Sequence, residues 1–316
     1  MKILFQTDVL CYRGSTVAIT DYAKYLKELL GHESIICYDW ARPYHVDGGT
    51  EPEVLEALQK DYQVIGYDDL SELQGIIDRE HVDFALVGSH VNLTNCRYGH
   101  LEAFQIYNPY GDAYAYISKW LADTMNARHG SNYPFVPHIV NLPEPIADYR
   151  EGLGIKPGQT VIGRYGGLMT FNLPVVKQAI IDILSTRDDF VFVFANTQPW
   201  ISHPNVKFVK EMYELQSKAN FINTCDAMLH ARSNGESFGL AVGEFLSLNK
   251  PVMVWEGGED QNHVAMMKDS GLIYNASNVK EKILSIRDYI NAEDWTQRIA
   301  GSKPQVVIEK FKEVFL

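Results

Sequence analysis

Short continuous apolar runs alternate with amphipathic segments of helical length along most of the chain. Residues 2–5 form the first such run. A polar loop, 6–16, carries it into a segment with helical periodicity over 17–30 that stops at Gly31, and 34–38 reads as the next strand. The same alternation predicts a strand at 63–67, a helix at 70–80 and a strand at 84–87. After residue 159 it resumes with a strand ending near Arg164, a helix at 175–185 and the run Phe190-Val-Phe-Val-Phe-Ala195. A run apolar at every position suits a parallel strand covered on both faces. A helix at 214–224, a strand at 227–230, a helix at 240–248 ended by Asn249-Lys-Pro251, and a strand at 251–255 follow. Residues 91–113 alternate Tyr, Asn and Gly and show neither period; they read as a long loop or as a surface for a second substrate. The last segment, 305–316, reads as a helix with Val306, Val307, Phe311 and Val314 on one side.

Strand, loop, helix, strand is the opening of a doubly wound α/β sheet, whose ligands lie at the carboxyl ends of its strands. A chain of 316 residues, 46% apolar, suggests two such domains. The proline-rich run Leu142-Pro-Glu-Pro145 is the candidate linker. The expected organisation is a first domain over 1–145, a second over 146–298 and a terminal helix, 299–316, crossing back to the first. A formal net charge of -12 argues against nucleic acid and against an anionic membrane held by general electrostatics. The cysteines, Cys11, Cys37, Cys96 and Cys225, form no Cys-x-x-Cys pair and read as buried free thiols. No apolar stretch approaches the ~20 residues that span a bilayer. The expectation is a soluble cytoplasmic protein, with peripheral membrane contact and oligomeric state left open.

The most informative stretch is Ala231-Arg-Ser-Asn-Gly-Glu-Ser-Phe-Gly-Leu-Ala-Val-Gly-Glu244, a polar loop feeding a helix. Ser237, Phe238, Gly239 and Leu240 lie where that helix begins, and unpaired N–H groups with the positive end of a dipole there suit an anion. Glu236 and Glu244 flank this corner. An anion between two acids fits a sugar diphosphate, its phosphates on the helix N-terminus and its hydroxyls on the glutamates. The plainer alternative makes Glu236 a solvated loop acid and Glu244 a surface residue. Arg164, at a strand end before a Gly-rich turn, suits a diphosphate because its forked donors pair with phosphate oxygens. Gly14 sits where the first loop meets its helix, in reach of a phosphate or an acceptor or simply at a capped start. A dinucleotide-binding oxidoreductase would place Gly-x-Gly-x-x-Gly after its first strand, and that pattern is absent.

Glu-Ser-Phe-Gly-Leu-Ala-Val-Gly-Glu, followed by Lys-Pro-Val, resembles the Glu-x7-Glu signature of retaining glycosyltransferases of the GT-B fold, the family 4-like, group 1 enzymes. The resemblance implies two Rossmann-like, doubly wound parallel-sheet domains facing across a cleft, with the acceptor on the first and the nucleotide-sugar donor on the second. It implies Glu236 on the donor sugar and Glu244 on the ribose. His90, at a strand's carboxyl end, matches a histidine held beside the sugar, and 203–213 resembles the segment that reads the base, with Met212 as its contact. The catalytic set is then His90, Arg164 and Glu236. The donor-binding set is Gly14, Arg164, Met212, Glu236, Ser237, Phe238, Gly239, Leu240 and Glu244. No metal and no cofactor beyond the nucleotide-diphosphate sugar is implied, and no Asp-x-Asp triplet is present. The acceptor, whether glycan, lipid or small molecule, is left open. One departure stands out: the family follows its arginine with a lysine five or six positions later, where this chain has Met169 and Thr170, and Lys177 lies farther on. A lost charge-assisted contact of ~1.5–3 kcal/mol keeps two alternatives in view, a non-catalytic sugar-nucleotide binder and a GT-B epimerase or phosphorylase.

Overall fold

The structure, a computed structural model, describes every residue except 12, 13, 42–48, 211 and 213. The chain divides into two units, Met1–Ile139 with Ser302–Leu316, and Val140–Gly301.

The first unit alternates β1 (Lys2–Thr7), α1 (Gly14–Leu30), β2 (Glu33–Asp39), α2 (Pro52–Asp61), β3 (Gln63–Tyr67), α3 (Leu73–Glu80), β4 (Phe84–Val87), β5 (Arg97–Glu102), β6 (Ala113–Tyr116) and α4 (Lys119–His129). Its six strands are all parallel, in the order β3-β2-β1-β4-β5-β6. One face of the sheet packs Ile3, Phe5 and Phe84 against Tyr22 and Leu26 of α1. The other packs Leu4, Ile35 and Ala85 against Leu73, Ile76 and Ile77 of α3. Helix α4 starts where Ser118 accepts a hydrogen bond from Leu121 N–H at 3.2 Å, and it stops at Gly130 in the left-handed region.

The second unit continues with β7 (Thr160–Arg164), α5 (Pro174–Leu184), β8 (Phe190–Ala195), β9 (Val206–Val209), α6 (Leu215–Thr224), β10 (Ala227–Leu229), β11 (Gly235–Glu236), α7 (Leu240–Ser247), β12 (Val252–Trp255), β13 (Asp260–Gln261), α8 (Asn262–Met266), β14 (Ile273–Tyr274) and α9 (Val279–Leu284). Its main sheet runs β9-β8-β7-β10-β12-β14, again parallel, and β11 pairs with β13 apart from it. Counted within each unit, both main sheets have the strand order 3-2-1-4-5-6 of a dinucleotide-type fold. The order reverses between β1 and β4 in the first unit and between β7 and β10 in the second. Those two switch points are where loops diverge and ligands are expected.

The last helix, α10 (Pro304–Phe315), belongs to the first unit. It buries Val307, Ile308, Phe311 and Phe315, while Val306 is 49% exposed and Val314 is only partly covered. The apolar side expected from Val306 and Val314 is therefore rotated, because Phe311 and Phe315 follow the ring faces of Tyr22 and Phe84. Residues 91–113 are not one loop. They contain β5, a strand of sequence Arg-Tyr-Gly-His-Leu-Glu whose His100 and Glu102 are buried by the strands on either side. Cys96 is only half-buried, whereas Cys11, Cys37 and Cys225 are buried free thiols as expected. Among the described residues, no helix is long and apolar enough to cross a membrane.

Candidate active site

At the second unit's switch point two loops meet, one leaving β7 at Arg164 and one leaving β10 at His230. Arg164 is 4% exposed. Its Nη1 donates to Asn196 O at 3.2 Å and to Thr197 Oγ1, and its Nη2 donates to Gly167 O at 2.9 Å and to Thr170 Oγ1. Burial pulls the guanidinium down to about 10, with Glu236 opposing that shift and Arg232 adding to it. Thr170, in the place where a lysine was expected, thus serves as a hydroxyl acceptor for Arg164. Met169 is 66% exposed, and the Lys177 ammonium lies 5.5 Å from the centre of the Trp200 ring.

The β10 loop turns back at β11. Gly235 has φ +75°, and a Cβ there would lie 1.9 Å from Asp260 O, so only glycine lets β11 lie against β13. That pairing presents Glu236. Its Oε2 accepts from Arg232 Nη1 at 2.8 Å, and its Oε1 lies 3.5 Å from His230 Nε2, long for a hydrogen bond. Burial alone would raise the Glu236 carboxyl, but its contact with His230 and the charge of Arg232 outweigh burial and hold it below the usual range. His263 is fully buried; its Nδ1 accepts from Glu236 N–H at 3.3 Å and its Nε2 faces Trp255 O at 2.9 Å. An acceptor role at Nδ1 and a carbonyl at Nε2 assign the neutral Nε2–H tautomer. Burial pulls its pKa down to about 3, in keeping with that neutral form.

Helix α7 begins immediately beyond. Gly239 occupies its N-cap at φ +90° with no side-chain hydrogen bond to the first turn, Phe238 is buried, and Phe238 O accepts from Asn262 Nδ2 at 2.7 Å. Ser237 and Leu240 are half-buried beside it. The helix start is fixed from behind by Asn262 while its cap position carries no side chain, the arrangement that leaves N–H groups for an anion.

Glu244, on α7, is 5% exposed and is not a surface residue. Its Oε1 lies 3.3 Å from Lys218 Nζ of α6, and that ammonium also sits 5.7 Å from the centre of the Tyr165 ring. Met212 is half-buried just beyond β9; its neighbours 211 and 213 lie outside the described residues.

The structure therefore brings Arg164, Glu236, Ser237, Phe238, Gly239 and Leu240 to one switch point of the second unit, with Glu244 on the helix that starts there. Gly14 and His90 belong to the first unit. Gly14 is exposed at the start of α1, behind residues 12 and 13, which lie outside the described set. His90 is exposed just past β4, its ring 4.7 Å from that of Tyr110. The sequence reading passed over His230, Arg232, His263 and Lys218. The rule that selected His90 and Arg164, a polar side chain directly after a buried strand, applies equally to His230 and Arg232.

Two parallel α/β units of this strand order make the chain a GT-B fold. No protein-family model and no curated protein matches the sequence. Among solved structures it is similar to Anabaena Alr3699/HepE in complex with UDP-glucose, with a TM-score of 0.72 and 12% identity over 99% of this chain and 98% of that one. It is similar to a glycosyltransferase from Rickettsia africae ESF-5, with a TM-score of 0.66 and 16% identity over 98% and 94% of the two chains. A third likeness, with a TM-score of 0.60 and 14% identity over 99% and 94%, is to a Listeria monocytogenes protein described as a UDP-N-acetylglucosamine 2-epimerase.

Proposed function

We propose that this chain is a metal-independent glycosyltransferase that moves a sugar from a nucleoside-diphosphate donor to a hydroxyl of a glycan, lipid or small molecule, with retention at the anomeric carbon. The observation that carries the reading is the convergence, at one switch point of a GT-B unit, of a buried arginine, a glutamate held by an ion pair and a glycine-capped helix start. The complexes of HepE with UDP and UDP-glucose make a uridine donor the first to test. In the reaction the bond from the anomeric carbon to the β-phosphate oxygen breaks and its electron pair stays on the diphosphate. The acceptor oxygen takes the place at carbon, and the acceptor's proton ends on the released diphosphate. Negative charge growing on the leaving group is met by guanidinium and by the N–H groups of α7. Glu236 orients the sugar hydroxyls and Glu244 takes a ribose hydroxyl beside Lys218. His90 remains the candidate contribution of the first unit to the sugar's reacting end, and Met212 the candidate base contact.

Transfer from UDP-glucose to a panel of sugar, lipid and small-molecule acceptors, followed by product NMR, tests this. Glu236→Ala is expected to lower turnover roughly 100-fold or more, since a preorganised polar contact to the reacting groups contributes about that factor, and His90→Ala roughly 10-fold. Unchanged turnover in both variants removes the assigned roles. The Listeria likeness favours a second reading, sugar-nucleotide epimerisation; an altered sugar still on its nucleotide, formed without acceptor, would establish it in place of transfer.

A further inference from the structure

Two arginines flank the second unit's switch point, and their surroundings differ. Arg164 is 4% exposed, and both of its terminal nitrogens are committed to protein acceptors, two backbone carbonyls and the hydroxyls of Thr170 and Thr197. Arg232 keeps 39% of its side chain exposed and makes, among the described residues, one ion pair, to Glu236 at 2.8 Å. Its loop is clamped. Asn172 donates its backbone N–H to Ala231 O at 3.1 Å, accepts from Ser233 N–H at 2.8 Å and donates its amide to Ser233 Oγ at 3.0 Å. Those bonds fix the residues on both sides of Arg232 against the end of the turn that follows β7. The turn itself offers no cation: Leu168 and Met169 are exposed and apolar, and Thr170 is bonded to Arg164.

A guanidinium held at that corner, half-exposed and paired among the described residues to one carboxylate, has donors available for an oxyanion. We propose that Arg232 is the cation that grips the donor's diphosphate, exchanging Glu236 for a phosphate oxygen when the donor binds. His230 supplies what the exchange requires. His230 is 4% exposed, neither of its ring nitrogens has a hydrogen-bond partner among the described residues, and Nε2 already stands 3.5 Å from Glu236 Oε1. A buried donor left without a partner is costly, and a small closing movement gives His230 the carboxylate that Arg232 releases. Glu236 thus stays ionised and oriented for the sugar while the charge beside it moves to the phosphates. The inference rests on the nucleotide-sugar reading above and assigns the diphosphate contact to a residue outside the signature that motivated that reading.

The test is a titration of wild type, Arg232→Gln and Arg232→Lys with UDP and with uridine at several salt concentrations. Glutamine keeps an N–H for Glu236 and removes the charge. Arg232→Gln is expected to weaken UDP roughly 10- to 100-fold, the factor for one charge-assisted bond, to leave uridine unchanged and to flatten the salt dependence. Arg232→Lys should fall between the two, and adding Met169→Lys to Arg232→Gln should recover part of the loss. UDP affinity unaltered by Arg232→Gln overturns the inference. So do equal losses for UDP and uridine, which would mark Arg232 as a loop support only. Wild type that binds neither UDP nor GDP, by contrast, removes the nucleotide-sugar reading itself, and this inference with it.

Discussion

The two units repeat one strand order, yet their switch points are built differently. In the first, Gln6 of β1 reaches across to β4, its Oε1 accepting from Gly88 N–H at 2.7 Å and Ser89 N–H at 3.0 Å while its Nε2 donates to Tyr67 OH at 2.6 Å. The Gly88 and Ser89 N–H groups there are thus engaged by a buried side chain. In the second, the corresponding link is made lower in the loops, by Asn172 to Ala231 and Ser233, and the start of α7 is left with a glycine cap. Identical topology therefore carries different side-chain anchors between its two loops, Gln6 in one unit and Asn172 in the other. The first unit keeps instead a polar aromatic surround: His100 Nδ1 meets Tyr110 OH at 2.7 Å, and Glu102 Oε2 lies 3.3 Å from His100 Nε2.

That contrast can be broken most severely at Gly235. Gly235→Val forces a side chain into Asp260 O and into a positive φ, so β11 cannot pair with β13 and Glu236 and α7 lose their alignment. UDP binding is expected to disappear, a loss of more than about 100-fold, while the first unit's thermal transition remains; calorimetry with and without UDP reads both. If UDP still binds at wild-type strength, the open site is not where it has been placed.

Gln6→Leu examines the other half. Leucine fills the volume but leaves the Gly88 and Ser89 N–H groups, which are only partly covered, without their acceptor, a loss of about 0.5–1.5 kcal/mol for each bond. Denaturant titration should show the first unit weakened by that order while UDP affinity is preserved. A tightening of anion binding at the first unit would be more telling still, since it would show that Gln6 alone closes that crevice.

A further effect appears only in acid. His263 in the second unit and His138 in the first are buried and neutral, pulled down by desolvation to about 3 and about 4. The unfolded chain, with histidines near 6.5, binds protons that the folded chain refuses, so both units lose stability as pH falls from about 6.5 toward those values. Each histidine contributes a slope of up to about 1.4 kcal/mol per pH unit. His263→Gln should flatten the acid limb of the second unit's stability curve and leave that of the first, and an unchanged limb would contradict the buried neutral assignment.

Much of the framework was legible before the fold was known. The runs at β1, β4 and β8 are apolar because both faces of a parallel strand are covered, and a helix that must lie on such a sheet repeats its apolar positions at its own period. The loop-to-helix corner at Glu236–Leu240 was legible too, because glycine before a helix and acids around it are local features. Strand β5 was not. Its buried His100 and Glu102 are tolerated because they bond to each other, to Phe104 N–H and, away from the strand itself, to Val87 O and Tyr110 OH, partners that the fold brings in from either side in sequence.

The chain's local chemistry alone fixed two α/β units, their order along the sequence and the loop-to-helix corner at Glu236–Leu240, since periodicity, capping and turn residues act within a few positions. Tertiary structure decided which charges there are available. Whether Arg164 or Arg232 has free donors depends on Thr170, Thr197, Asn196 and Asn172, brought together from separate loops, and a guanidinium's partners are a matter of distance in space that no spacing along the chain encodes.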